Sequence, residues 1–183
     1  FGWFLNVYIE IFRGTPMIVQ SMVIFYGSAQ AFNISLDRTW AAIFIVSINT
    51  GAYMSEIVRG GILAVDPGQF EAATALGMTH GQTMRKVVLP QVVRNILPAT
   101  GNEFVINIKD TSVLNVISVV ELYFTGNTVA TQNYQYFPTF TIIAVIYFVL
   151  TFTITRILRY IERRLDSDTY TTGANQMQVN EVK

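Results

Sequence analysis

Thr100, Glu103, Asn107 and Asp110 follow one another at offsets of three, four and three. On a helix that spacing places all four on one face. The stripe is a row of oxygen acceptors and could hold an ammonium group. A carboxylate on the same solute could meet Lys109, or the backbone N–H groups of a helix starting at Asp110-Thr111-Ser112. The same side chains could instead hydrogen-bond neighbouring helices and fix their packing. Both readings are open at this point. No nucleophile-and-base pair accompanies the stripe, and the remaining carboxylates are scattered, which argues against an enzyme. His80 is the single histidine and lies in a polar stretch, where solvent or partner contact outweighs a metal role. Cysteine is absent, so disulfides and thiolate metal sites are excluded.

The elements that must carry such a stripe are apolar. Of 183 residues, 51% are hydrophobic and only 13% charged, with mean hydropathy +0.40. Soluble domains carry roughly 25% charged residues, so this density points to lipid. Net charge is zero, which gives no argument for nucleic acid. Between Arg13 and Asp37 no residue is charged, a run long enough for the ~30 Å hydrocarbon core. Thr15-Pro16 reads as its N-cap and first helical position. A second run extends from Thr39 to Val58, with Trp40 at an interfacial position. A third, from Pro138 to Ile154, leads into Arg156, Arg159, Arg163 and Arg164.

Charge placement demands one more crossing. Arg13, the group Arg59, Arg85 and Lys86, and the arginine cluster share the cytoplasmic side only if a span lies between Pro90 and Pro138. Val92–Ile108 is the one candidate, and its polarity requires that it face protein or a water-filled cavity. The expected spans are therefore about 15–35, 40–60, 91–110 and 138–158. Beyond Asp110 a second short helix or re-entrant piece is expected, with a polar loop over Gly126–Gln135. The tail over 166–183 has almost no apolar content and reads as disordered. Phe1 in place of Met, without a cleavable signal, points to a piece of a longer chain.

The cytoplasmic stretch 66–90 is too polar to span yet well punctuated. Asp66-Pro67-Gly68-Gln69 reads as an N-cap, a proline at the first position and a capping-box glutamine. A short helix, Phe70–Leu76, should stop at Gly77 as a left-handed C-cap. Thr79-His80-Gly81-Gln82 repeats the box and opens a second short helix that runs into Val87-Val88-Leu89-Pro90. Small residues Ala72, Ala73 and Ala75 permit close approach to another surface, and Phe70 could anchor there. An ordinary helical hairpin between spans is the alternative. Elsewhere, Glu56 and Arg59, at i and i+3, can pair locally, and Arg13 can anchor a helix end by snorkelling.

Glu71-Ala72-Ala73, then Gly77, then Val87-x-Leu89-Pro90 resembles the EAA loop of ABC-importer permeases, with Val87 where the family usually has isoleucine. Three more blocks resemble the polar amino-acid (histidine/glutamine-type) branch of that family. They are Glu10–Pro16 (EIFRGTP) with Gln20, Ala52–Ile62 (AYMSEIVRGGI), and Gly101–Phe104 through Lys109–Ser112. The four ordered blocks cover roughly residues 8–122, and together they are far more specific than a lone EAA.

The resemblance implies an all-α integral membrane protein, a polytopic helical permease with about four transmembrane helices here and a fifth missing upstream. It implies a multi-pass subunit of the bacterial cytoplasmic (inner) membrane, with the EAA loop and C-terminus cytoplasmic. Phe70, Glu71, Ala72, Ala73, Gly77, Leu89 and Pro90 would belong to the surface that docks on an ATPase. Thr100, Glu103, Asn107, Lys109, Asp110, Thr111 and Ser112 would line the solute pathway for an amino acid. The implied partners are a pair of ATP-binding subunits, a second permease subunit, an extracytoplasmic amino-acid-binding protein and the lipid bilayer. This chain would bind no cofactor, ATP and Mg being used by the partner ATPase. A self-contained channel or ion-coupled secondary transporter is the alternative, and it would not need a cytoplasmic docking element.

Overall fold

The computed structural model describes residues 2–164, and every regular element among them is helical. Helix α1 (Gly2–Gly14) is followed by α2 (Met17–Phe32), α3 (Arg38–Leu63), α4 (Pro67–Ala75) and α5 (His80–Thr83). A five-residue π turn, Met84–Val88, leads into α6 (Leu89–Asp110), which continues as a 3₁₀ segment, Thr111–Ile117. Then come α7 (Leu122–Asn133) and α8, which extends from Tyr136 through Arg164. The tail expected to be disordered, 166–183, lies outside the described residues.

Two helices, α3 and α8, are long and apolar enough to cross a membrane. The run His80–Ile117 and α7, bent by 55° at their junction, counts as a third if the pair is one broken span. Helix α2 is apolar but only 16 residues long, about 24 Å against a ~30 Å core. It is shorter than expected at both ends. Thr15 does not cap it: Pro16 holds the N-cap position, and the Thr15 hydroxyl donates backwards to the Ile11 carbonyl at 2.7 Å. At the other end Asn33 turns left-handed, with φ 54°.

The polar loop expected over Gly126–Gln135 is instead largely helix α7. Glu121 caps it, its carboxylate accepting from the Tyr123 and Phe124 N–H groups at 2.8 and 2.6 Å. Glutamate is not among the residues that usually mark a helix start, so the composition concealed this one.

The chain divides into two compact units. The first comprises Phe1–Glu56 and Glu103–Phe152. Its core joins Ala41, Ala42 and Ile45 of α3 to Leu114 and Ile117 of the 3₁₀ segment. Tyr26 of α2 adds a hydrogen bond from its hydroxyl to the Val116 carbonyl, 3.0 Å. The second comprises Ile57–Asn102 and the chain from Thr153. There Val65, Val88 and Val92 form the buried centre, with Ile62, Phe70, Met84 and Ile96 packed around it. Gly61 makes this packing possible, because a Cβ at that position would lie 2.2 Å from the Ile96 Cγ2.

Around these apolar cores the described residues bury several polar side chains and expose many large apolar ones. Gln20, Ser21, Asn49 and Glu103 are buried, while Phe44, Val145 and Phe148 are exposed. Water would penalise that arrangement, whereas hydrocarbon favours apolar side chains outside and polar ones facing protein. Small residues occupy the tight positions, Ser21, Ala41 and Ala52 among them. Helices in lipid associate by such close packing, since apolar burial gives little driving force there.

Candidate functional site

The hairpin 66–90 is built from local hydrogen bonds. The Asp66 carboxylate accepts from the Gly68 N–H at 2.7 Å, and Pro67 stands at the first helical position, where its missing N–H costs nothing. At the far end of α4, Met78 N–H donates to the Ala73 carbonyl and Gly77 N–H to that of Thr74. These two bonds are a complete Schellman closure, which requires a left-handed residue at Gly77, φ 75°. Thr79 and Gln82 then form the reciprocal capping box, with bonds of 2.9 and 3.4 Å.

Two features of this hairpin go beyond the sequence reading. The second short helix continues past Leu89-Pro90. It passes through the π turn into α6, where Pro90 occupies the first turn. The Leu89 N–H reaches back to the Met84 carbonyl, and this wider turn just ahead of Pro90 accommodates a residue that has no N–H and crowds the preceding turn. Phe70 is part-buried and packs on the Val65, Val88 and Val92 cluster, which ties α4 to its own chain. Ala73 is buried as well, while Glu71, Ala72, Gly77, Leu89 and Pro90 are exposed. The most exposed large apolar side chain of this hairpin is Leu76, at 82%.

The stripe expected on α6 lies on a helix as required: Thr100, Glu103, Asn107 and Asp110 all fall within Leu89–Asp110. Glu103 is buried, and the Asn107 side-chain oxygen accepts from the Thr50 hydroxyl at 3.1 Å. The Thr100 hydroxyl is buried and has no hydrogen-bond partner. Lys109 is exposed. No separate helix begins at Asp110-Thr111-Ser112, because α6 continues directly into the 3₁₀ segment and the Thr111 hydroxyl bonds back to Ile108 at 3.0 Å.

A third constellation was legible only in part. Gln20, quoted with the EIFRGTP block, proves to be a buried hub. Its amide nitrogen donates to the carbonyls of Phe12 and Thr15, each at 2.9 Å, and to the Thr15 hydroxyl at 2.8 Å. Its oxygen accepts from Asn49 of α3, also at 2.9 Å. Nearby, Arg13 bridges to Glu56 at 3.3 Å and lies over the Tyr53 ring, and the Tyr8 hydroxyl donates to the Ile48 carbonyl. Asn49 and Tyr8 carried no sequence signal beyond being polar groups within apolar runs. Among the described residues no cluster of His, Asp and Glu suits a metal ion.

The pattern that describes the binding-protein-dependent transport system inner membrane component matches residues 1–167. The chain belongs to that family. The permease is 41% identical over 169 residues to the glutamine transport system permease protein GlnP of Escherichia coli (strain K12), covering 90% of this chain and 77% of that protein. It is 38% identical over 168 residues to the arginine transport system permease protein ArtQ of Bacillus subtilis (strain 168), covering 92% and 77%. The L-cystine transport system permease protein TcyB of the same organism is 41% identical over 165 residues, covering 90% and 70%. Among solved structures, an amino acid ABC transporter crystallised with histidines shares 45% identity at a TM-score of 0.82, covering 87% of the permease and 74% of that chain. The MetNI methionine transporter, at 20% identity and a TM-score of 0.74, shares the fold.

Proposed function

We propose that the permease is the membrane-spanning half of an ABC importer for a polar amino acid. It crosses the cytoplasmic membrane four times, with the hairpin 66–90 and the C-terminus on the cytoplasmic side. Two ATP-binding subunits bind ATP and Mg, a second permease subunit completes the pathway, and an extracytoplasmic binding protein delivers the solute. The observation that carries this reading is the hairpin. A polar segment in an apolar chain, fixed by a cap at each end, has the form of a docking element rather than a slack linker. Glu71, Ala72, Leu76 and Gly77 offer a shallow surface with one charge and one apolar contact, and Ala73 and Phe70 hold it from beneath. Closure of the ATPase pair would press the docked helices together and switch the permease between outward- and inward-facing states.

For the solute, the relatives named for glutamine, arginine and cystine support an α-amino acid. Glu103, Asn107 and Asp110 on α6 suit its ammonium group, with Thr100 nearby in sequence on the same helical face. Lys109, Thr111 and Ser112 remain the candidates for its carboxylate, through side chains rather than a helix N-terminus. The test is reconstitution of the full-length subunit with its genomically adjacent ATPase in liposomes. ATP-driven amino-acid uptake that requires the binding protein is expected. Uptake without ATP, or failure to associate with any ATPase, overturns the reading.

A further inference from the structure

The break between α1 and α2 centres on Pro16. In an unbroken helix the N–H of residue 16 would donate to the Phe12 carbonyl four residues earlier; proline has none. A bare carbonyl shut away from water is penalised unless another donor reaches it. Two side-chain amides do. Gln20 of α2 donates to Phe12 at 2.9 Å, and Asn49 of α3 approaches the same oxygen at 3.4 Å while holding Gln20 at 2.9 Å. Gln20 also satisfies the Thr15 carbonyl, which the next turn leaves open because the Val19 N–H bonds to Pro16 instead. Both amides are buried. Along the same face of α3, four and seven residues on from Asn49, Tyr53 and Glu56 receive Arg13.

We propose that Gln20 and Asn49 are positioning residues for transport: they replace the donor that Pro16 removes and so hold the α1–α2 elbow against α3 as one rigid body. The proline sets the bend and the amides keep it from being a loose joint. This rests on the transporter reading above.

The test uses the complex of permease and ATPase, with Gln20→Leu and Pro16→Ala alone and together, and Asn49→Leu. Gln20→Leu is expected to lower the Tm of the complex, and to lower it much less in a Pro16→Ala background, where an N–H again serves the Phe12 carbonyl. Equal drops in both backgrounds overturn the clamp. If Gln20→Leu gives no folded complex, Asn49→Leu replaces it in the same comparison. Asn49→Leu, assayed well below its own Tm, is expected to cut solute moved per ATP hydrolysed about tenfold, since the elbow is then free to move against α3. Unchanged uptake per ATP overturns the positioning role. The melting comparison decides the clamp even if the parent complex shows no ATP-driven uptake, so failure of the transporter reading is told apart from failure of this one.

Discussion

The Arg13 guanidinium meets the Glu56 carboxylate at 3.3 Å, joining the last turn of α1 to the C-terminal half of α3. The Arg13 charge is thus answered within the protein. The pair is partly exposed, so its worth depends on geometry as much as on Coulomb attraction. The Tyr53 ring, 5.6 Å from the guanidinium carbon, fixes that geometry from a second side.

Exchanging the charges tests the bridge. Arg13→Glu or Glu56→Arg alone is expected to reduce uptake, and the double exchange to recover part of it. Because the pair is partly solvated, the double-mutant coupling in stability should be about 1 kcal/mol or less. Single and double variants with equal uptake would show that the pair is incidental.

Gly77 is the position in the hairpin where a side chain meets backbone strain, since its φ is +75°. A Gly77→Leu variant should lose roughly 1–2 kcal/mol locally as the left-handed turn is forced on a residue with a Cβ. Co-purification with the ATPase and ATP-driven uptake should fall while membrane insertion is retained. Gly77→Asn, which tolerates that conformation, should keep more of both. If Gly77→Leu couples normally, the hairpin is only a linker.

Phe70 and Leu76 separate holding the hairpin from docking it. Phe70→Ala removes an inward contact with Val65, Val88 and Val92, and should destabilise this region by about 2–4 kcal/mol, somewhat below a fully buried phenylalanine. Leu76→Ala, at 82% exposure, should leave the isolated permease unchanged and weaken ATPase association. Limited proteolysis of the hairpin and an affinity measurement read the two effects apart. The assignment fails if Leu76→Ala opens the hairpin to protease as Phe70→Ala does.

On α6, Glu103→Gln and Asn107→Ala address the solute pathway. Either variant should raise the apparent KM for amino-acid uptake several-fold, with Thr50→Val giving a smaller change because it removes only the neighbour of Asn107. Transport with unchanged affinity and rate would leave these residues as packing groups.

Much of the hairpin was legible without coordinates. The Asp66 cap, the Pro67 start, the Gly77 stop and the Thr79–Gln82 box rest on contacts between residues two to five apart, and such contacts are written directly in residue order. The apolar class of the chain and the helical stripe on α6 were also readable, since composition and a 3.6-residue period need no partner. The glutamate-capped α7 escaped because its starting residue is an uncommon cap, and the π turn ahead of α6 escaped because one widened turn leaves no mark in residue spacing.

What tertiary structure alone decided is which residues meet across the chain. Sequence order offered Glu56 a neighbour in Arg59; the fold also brings it Arg13. Gln20 and Asn49 are unremarkable amides in apolar runs until α2 and α3 lie together, when they become the donors for a carbonyl that Pro16 left open. Phe70 faces inward because the cluster around Val88 exists only once α4 folds back beside the π turn. Caps and turns are set by short-range hydrogen bonds, so the sequence by itself determined them. The elbow, its clamp and the inward turn of Phe70 depend on contacts between distant segments, whose energies are realised only when the helices pack.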